Sequence, residues 1–187
     1  EAFAETLVSP VLKNDSLSVY VISDRQQNSS GILHLKLMDF SGNLLWQTTK
    51  EVFLEGPVSA KAFSILANEI PVDYNRRTTV LIAEFVQNGQ ITAKNYLYFR
   101  KPKELQLPRI APDITSKEIS EGYEIRITSK KLIKNLALRH RNAEGHFDKN
   151  YLDVIPGETV VITFVTNENI SDFRKGLEIQ YLNNMTD

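Results

Sequence analysis

The chain has 187 residues, a net charge of −1, 42% hydrophobic residues and no cysteine. Its balanced charge offers no electrostatic footprint for nucleic acid or an acidic membrane surface, and no apolar run approaches the roughly 20 residues that cross a bilayer. The lack of cysteine excludes disulfides, thiolate catalysis and cysteine-ligated metals. The sequence predicts a soluble globular protein with no nucleic-acid partner and no membrane partner.

The first residues, Glu1-Ala2-Phe3-Ala4, contain neither an initiator methionine nor a basic-then-apolar signal peptide. We therefore expect a processed chain or a piece of a larger protein, and favour the piece.

Alternation of apolar and polar residues dominates the chain and predicts strands with one buried face. It is clearest over residues 33–38, 123–128 and 177–181. Asn88-Gly89 predicts a tight hairpin between two such runs, because both corner residues tolerate positive φ. Residues 59–66 predict a further strand, followed by a helical turn over Ala67–Ile70.

The alternation breaks near Lys101–Ile110, where Pro102 and Pro108 stand among several charged residues. About seven strand-like runs precede this segment and about six follow it, at the spacing typical of β-sandwiches. The sequence therefore predicts an all-β fold of two consecutive immunoglobulin-like β-sandwich domains, with residues 1–101 in the first and residues 102–187 in the second.

The chain offers only three histidines as general bases, and no serine lies in a G-x-S-x-G turn. His34 falls on the polar side of its predicted strand. His140, His146 and Asp148 could be drawn as a metal site, but zinc ligands favour tighter spacing and usually include a third strong ligand.

Paired carboxylates could hydrolyse a glycosidic bond if they faced each other across a cleft. Glu118, Glu121, Glu124 and Glu144 instead fall at strand ends or on outward faces, where they keep a sheet soluble. No phosphate-cradling glycine loop is present. The sequence thus predicts no catalytic residue, no metal ligand and no cofactor.

Aromatic side chains are the remaining candidates for a binding site. Trp46 is predicted to be a buried anchor of a sandwich core. Tyr96 and Tyr98 share one strand face, opposite Leu97 and Phe99, and are the predicted sugar-stacking residues. The same pair could equally cover a neighbouring domain.

Several segments resemble β-mannosidases of glycoside hydrolase family two. Residues 19–25, then Gly31 and residues 35–46, are similar to the "Val-Ile-Ser-Asp" strand and the "Met-Asp…Gly…Leu-Trp" hairpin of their penultimate sandwich domain. Residues 95–108 resemble the junction that follows. Residues 148–158 resemble the "Asp-Asn-Tyr/Phe-Phe-Asp-Leu-Leu-Pro-Gly-Glu" signature of the last, immunoglobulin-like domain, except that Lys149 interrupts its start.

The resemblance implies a parent enzyme that hydrolyses terminal β-linked mannose with retention, using two glutamates of a central (β/α)-barrel. None of that barrel lies in this chain, so no catalytic residue carries over to it, and we expect the chain by itself to be inactive. The implied partners are the catalytic barrel and other domains of the same parent chain, and a mannoside or mannan.

Two other functions stay open. One is a carbohydrate-binding module, in which exposed aromatics such as Tyr96 or Tyr98 stack on mannan. The other is a cell-surface adhesion tandem of immunoglobulin-like domains. The compartment is also open, with a lean toward the periplasm or another extracytoplasmic compartment.

Overall fold

The computed structural model describes residues 5–184, which form two compact units. Within that range the first unit holds residues 5–39 and 43–105, and the second holds residues 40–42 and 106–184. Strands dominate both units, and each has its own hydrophobic core, which confirms the predicted all-β fold class. The limits 1–101 and 102–187 stay a prediction. No helix in the described range is long and apolar enough to cross a membrane.

The first unit pairs its strands in two antiparallel sheets, ordered β1-β2-β5 and β4-β3-β6-β7. Its strands are β1 (Thr6–Lys13), β2 (Ser16–Ser23), β3 (Ser29–Asp39), β4 (Leu44–Leu54), β5 (Val58–Leu66), β6 (Thr79–Gln87) and β7 (Gln90–Tyr98). A short 3₁₀ helix at Pro102–Glu104 follows the last strand.

The second unit also has two antiparallel sheets, ordered β11-β13-β9-β8 and β12-β10-β14. Its elements are β8 (Asp113–Ile119), β9 (Gly122–Thr128), β10 (Ile133–His140), β11 (His146–Phe147), β12 (Leu152–Val154), β13 (Thr159–Val165), α1 (Phe173–Gly176), β14 (Leu177–Gln180) and a 3₁₀ helix at Leu182–Asn184. Strands β11 and β12 are only two and three residues long, too short for an alternating pattern to show clearly.

The predicted alternation decides which side chains enter each core. In β3, Leu33, Leu35 and Leu37 are fully buried, whereas His34 and Lys36 between them are half-exposed. In β9, alternate residues again join the core of the second unit. Burying one face of each strand is thus the main source of hydrophobic stabilisation in both units.

Turn chemistry fixes how successive strands connect. Asn88 and Gly89 have φ values of 51° and 76°, which confirms the predicted hairpin between β6 and β7. The strand predicted over residues 59–66 forms as β5, and the helical turn predicted at Ala67–Ile70 is reduced to a turn at Ala67 and Asn68, where the Glu69 N–H donates to the Leu66 carbonyl. Its first residue bonds outside the segment: the N–H of Ala67 donates to the Asp15 carbonyl, and its carbonyl accepts from the Tyr74 hydroxyl.

Candidate functional site

The sheet β4-β3-β6-β7 has one face in the first core, and we call its opposite face the outer face. Neighbouring strands place chemically active side chains on it in register. His34 of β3 lies opposite Glu84 of β6, which lies opposite Lys94 of β7. Because opposite residues of antiparallel strands share a face, these groups form one row across the sheet.

Glu84 is a charged residue with only 5% of its surface exposed. Its two carboxylate oxygens each accept from one ammonium group at 2.9 Å, Oε2 from Lys36 and Oε1 from Lys94. Burial raises the pKa of Glu84, but the two lysines outweigh that effect and hold the pKa below its usual 4.5. The carboxylate is therefore ionised and each of its oxygens accepts from a lysine, which suits a structural role better than proton transfer.

The predicted sugar-stacking residues lie on the outer face at one end of β7. Tyr96 and Tyr98 are both half-buried and lie opposite Ile82 and Val80, whose exposures are 1% and 0%. The ammonium of Lys94 lies 5.7 Å from the centroid of the Tyr96 ring, within the range of a cation–π contact. One part of that ring is thus already in contact, and sugar stacking at Tyr96 and Tyr98 stays a prediction.

A groove at another part of the outer face was not foreseen from the sequence. It has a volume of about 550 Å³ and is lined by Ser30, Gly31, Ile32, Glu51, Val52 and Phe53. Phe53 is 61% exposed and Ile32 is 41% exposed. The sequence did contain one sign of this groove. Val52 and Leu54 are buried in β4, so the alternation of β4 places the aromatic Phe53 between them on the solvent side.

Tyr151 is a second strongly exposed aromatic, with 77% of its surface accessible. Its φ of 57° lies in the left-handed region, which costs a non-glycine residue free energy. The preceding Asn150 fixes this segment, because its side chain bonds both the N–H and the carbonyl of Leu138. The second unit therefore presents the Tyr151 ring from a well-anchored position.

His140, His146 and Asp148, which the sequence suggested as a possible metal site, do not form one cluster in the structure. The His140 ring is buried and stacks on Phe173 at 5.0 Å between centroids, while its Nε2 lies 3.1 Å from the Phe173 carbonyl oxygen. His146 is exposed on β11, and Asp148 accepts from the N–H of Thr163. Within residues 5–184 no group of three or more acidic, histidine or cysteine side chains could hold a metal ion.

Of the four acidic candidates, Glu118 lines a pocket at the ends of β8 and β9, and none of the other three candidates lines that pocket with it. Glu124, on β9, is bonded by Arg126 at 2.9 Å and by Lys117 at 3.2 Å. The hydrogen bond from Lys117 is the main cause that lowers the pKa of Glu124, and Arg126 adds to it. Glu118 and Glu144 are exposed. Glu124 thus takes part in surface ion pairs, which contribute little to stability, and the outward positions of these carboxylates agree with the prediction.

These features together define a class of protein: two immunoglobulin-like sandwich domains whose polar residues serve packing and surface contacts. Residues 15–104 match the family described as Mannosidase Ig/CBM-like domain, and residues 105–185 match the Ig-fold domain family of mannosidases. The chain therefore belongs to these two families and consists of two consecutive immunoglobulin-like domains of the mannosidase type. The resemblance seen in the sequence is confirmed.

Solved structures with the same fold include a β-D-mannosidase from Dictyoglomus thermophilum, at 19% identity and a TM-score of 0.77 over 96% of this chain. An exo-chitosanase from Amycolatopsis orientalis matches 94% of this chain at 14% identity and a TM-score of 0.59. The chain spans 22% of the first protein's length and 25% of the second's. A search of curated protein sequences finds no match.

Proposed function

We propose that the chain is the C-terminal accessory pair of a β-mannosidase whose catalytic barrel hydrolyses terminal β-linked mannose with retention. The observation that carries this proposal is the order of the two mannosidase family matches, which together extend from residue 15 to residue 185. The fold shared with the Dictyoglomus thermophilum β-D-mannosidase over nearly the whole chain supports it.

In this role the two domains pack against the catalytic barrel and stabilise it. The first unit has a surface suited to such packing on the side of the sheet β1-β2-β5 that faces away from its core. Edge strand β1 exposes Leu7 by 52% and Val11 by 41% there, and Ile22 of β2 lies opposite Leu7. Ile22 itself is half-buried, and neighbouring exposed aliphatic side chains such as Leu7 and Val11 are typical of a surface that another part of a protein covers.

The test compares the whole parent enzyme with a version that ends before residue 1 of this chain. We expect the shortened enzyme to unfold at a lower temperature and to lose activity on an aryl β-mannoside on heating. The isolated chain should show no turnover of the same substrate. Turnover by the pure chain, or an upstream coding sequence without a barrel, would contradict the proposal.

A second candidate function, carbohydrate binding, is favoured by the CBM-like description of the family that residues 15–104 match. Tyr96 and Tyr98 are the residues that the sequence puts forward for it. Titration of manno-oligosaccharides into the chain in a calorimeter tests this function directly. Absence of heat at millimolar ligand would count against it and would leave the accessory role intact.

A further inference from the structure

We propose that the groove between β3 and β4 at Phe53 binds a neutral hexopyranose oligosaccharide. We call it the Phe53 groove; its lining residues are Ser30, Gly31, Ile32, Glu51, Val52 and Phe53. The inference rests on carbohydrate binding, the second candidate function. It places the binding site between β3 and β4 on the outer face, and not at Tyr96 and Tyr98.

The exposure of the aromatic rings favours this position. A sugar stacks on an aromatic residue through its apolar C–H face, which requires an accessible ring. Phe53 is 61% exposed, whereas Tyr96 is half-buried and already faces the ammonium of Lys94. Among the described residues of the first unit, Phe53 is the only aromatic residue that is exposed rather than buried or half-buried.

Strand register places two hydrogen-bonding groups beside the ring. Ser30 lies directly opposite Phe53, and Ile32 lies directly opposite Glu51. Residues two apart on a strand share a face, so these four side chains form a compact block with a ring, an aliphatic group, a hydroxyl and a carboxylate. Ser30 and Glu51 are both exposed. Within residues 5–184 the Glu51 carboxylate has no ion pair, so it can accept hydrogen bonds from sugar hydroxyls.

The groove continues as an apolar row across the sheet. Val86 lies opposite Ile32, and Ile91 lies opposite Val86 with 55% of its surface exposed. Neighbouring strands lie about 4.8 Å apart, so the row from Glu51 to Ile91 spans roughly 14 Å. A platform of this length fits a short oligosaccharide better than a single sugar.

The backbone at the bottom of the groove packs directly against the first core. A Cβ atom added at Gly31 would meet the Phe85 ring, and Phe85 is fully buried in the first core. The backbone at the bottom of the groove is therefore fixed before a ligand binds, which limits the entropic cost of binding. The negative charge of Glu51 favours neutral sugars over acidic ones, because no lysine or arginine lines the groove to offset it.

The test is calorimetric titration of the whole chain with mannohexaose, cellohexaose and an oligouronate, repeated with four single variants. We expect a neutral hexaose to bind, Phe53→Ala to weaken binding about tenfold or more, and Glu51→Gln to weaken it about two- to fivefold. Tyr151→Ala is the matched control with an exposed aromatic residue and should bind like the original chain, whereas Tyr96→Ala tests the tyrosine pair as the alternative site. Because Phe53 and Glu51 are exposed, both variants should keep the fold, which far-UV circular dichroism checks.

Each alternative result overturns the proposal. If neither neutral hexaose produces heat on titration, carbohydrate binding is excluded as a function of the chain. The proposed accessory role is not affected by that result. Binding that survives Phe53→Ala but is lost in Tyr96→Ala puts the site at the tyrosine pair. A preference for the oligouronate contradicts the assigned ligand class, and binding unchanged in all four variants puts the site elsewhere on the chain.

Discussion

The side chain of Asn150 holds the main chain of Leu138 through both of its polar atoms. Its Oδ1 accepts from the Leu138 N–H at 2.8 Å, and its Nδ2 donates to the Leu138 carbonyl at 2.9 Å. The amide thus mimics a strand partner for β10 just beyond the end of β12, whose pairing with β10 stops at Leu152.

Replacing Asn150 with alanine should destabilise the second unit by about 1–3 kcal/mol, because a main-chain donor and acceptor lose their partners together. Urea unfolding followed by circular dichroism measures the free energy, and amide hydrogen exchange at Leu138 should become faster. Asn142→Ala is the matched control, since Asn142 is exposed in the loop after β10. Equal stability of the two variants would contradict the role given to Asn150.

Glu84 should make the stability of the first unit depend on pH. Its folded-state pKa lies below 4.5, so its contribution is fully present above that pH and is lost as the pH falls through the folded-state pKa. Glu84→Gln should therefore lower stability by about 1–3 kcal/mol at pH 7, and the difference from the original chain should narrow toward pH 3.

Fluorescence of Trp46 in urea measures this effect, because it is the one tryptophan of the chain and packs against the first core. Glu51→Gln serves as the control, since Glu51 is an exposed carboxylate without an ion pair within residues 5–184. A difference between Glu84→Gln and the original chain that stays constant from pH 7 to pH 3 would argue against the two-lysine explanation.

Gly176 should not tolerate alanine while His140 is present. A Cβ atom at residue 176 would overlap the imidazole ring, and stacking on Phe173 and Phe164 keeps that ring from moving aside. We expect Gly176→Ala to cost about 1–3 kcal/mol, as overpacking of a core does.

A double-mutant cycle separates this clash from other effects. In a chain that already carries His140→Ala, adding Gly176→Ala should cost much less, because the overlapping ring is gone. Urea unfolding followed by circular dichroism gives all four free energies. A cost of Gly176→Ala that is the same in both backgrounds would show that His140 is not the obstacle.

Two turn glycines should respond alike to substitution. Gly89 and Gly157 have φ values of 76° and 79°, and a Cβ atom added at either would meet no atom within 4 Å. Alanine should therefore cost about 1–2 kcal/mol at each position, through backbone conformation alone. Trp46 fluorescence reports the Gly89 variant and circular dichroism the Gly157 variant. A cost near zero at both positions would show that these turns relax freely.

The sequence was sufficient to predict those strands and turns whose pattern lies within a short stretch of the chain. The alternation of Leu33, Leu35 and Leu37 with polar residues, and the Asn88-Gly89 corner, are local signals that tertiary packing reinforces. The resemblance to mannosidase domains likewise depended on turn formers and core residues. These features follow from burial of one strand face and from positive φ, which single residues determine.

Side chains whose surroundings come from distant segments could not be predicted. His140 lies in an aromatic cluster with Phe164 and Phe173, residues that reach it only after β13 and α1 have packed. Trp46, predicted to be buried, is half-exposed, and its ring lies 6.3 Å from that of Phe63 on β5. The surroundings of such side chains depend on pairing between strands that are far apart in the chain. The alternation within a single strand carries no information about that pairing.

The close approach of Gly176 to the His140 ring also gives the second unit a magnetic signature. One α-proton of Gly176 points at the imidazole from the side where a Cβ atom would overlap it. Aromatic ring currents shift the resonance of such a proton away from its normal position, and only while the ring is held in place. The resonance of this one glycine proton would therefore report whether the second unit of the chain is folded.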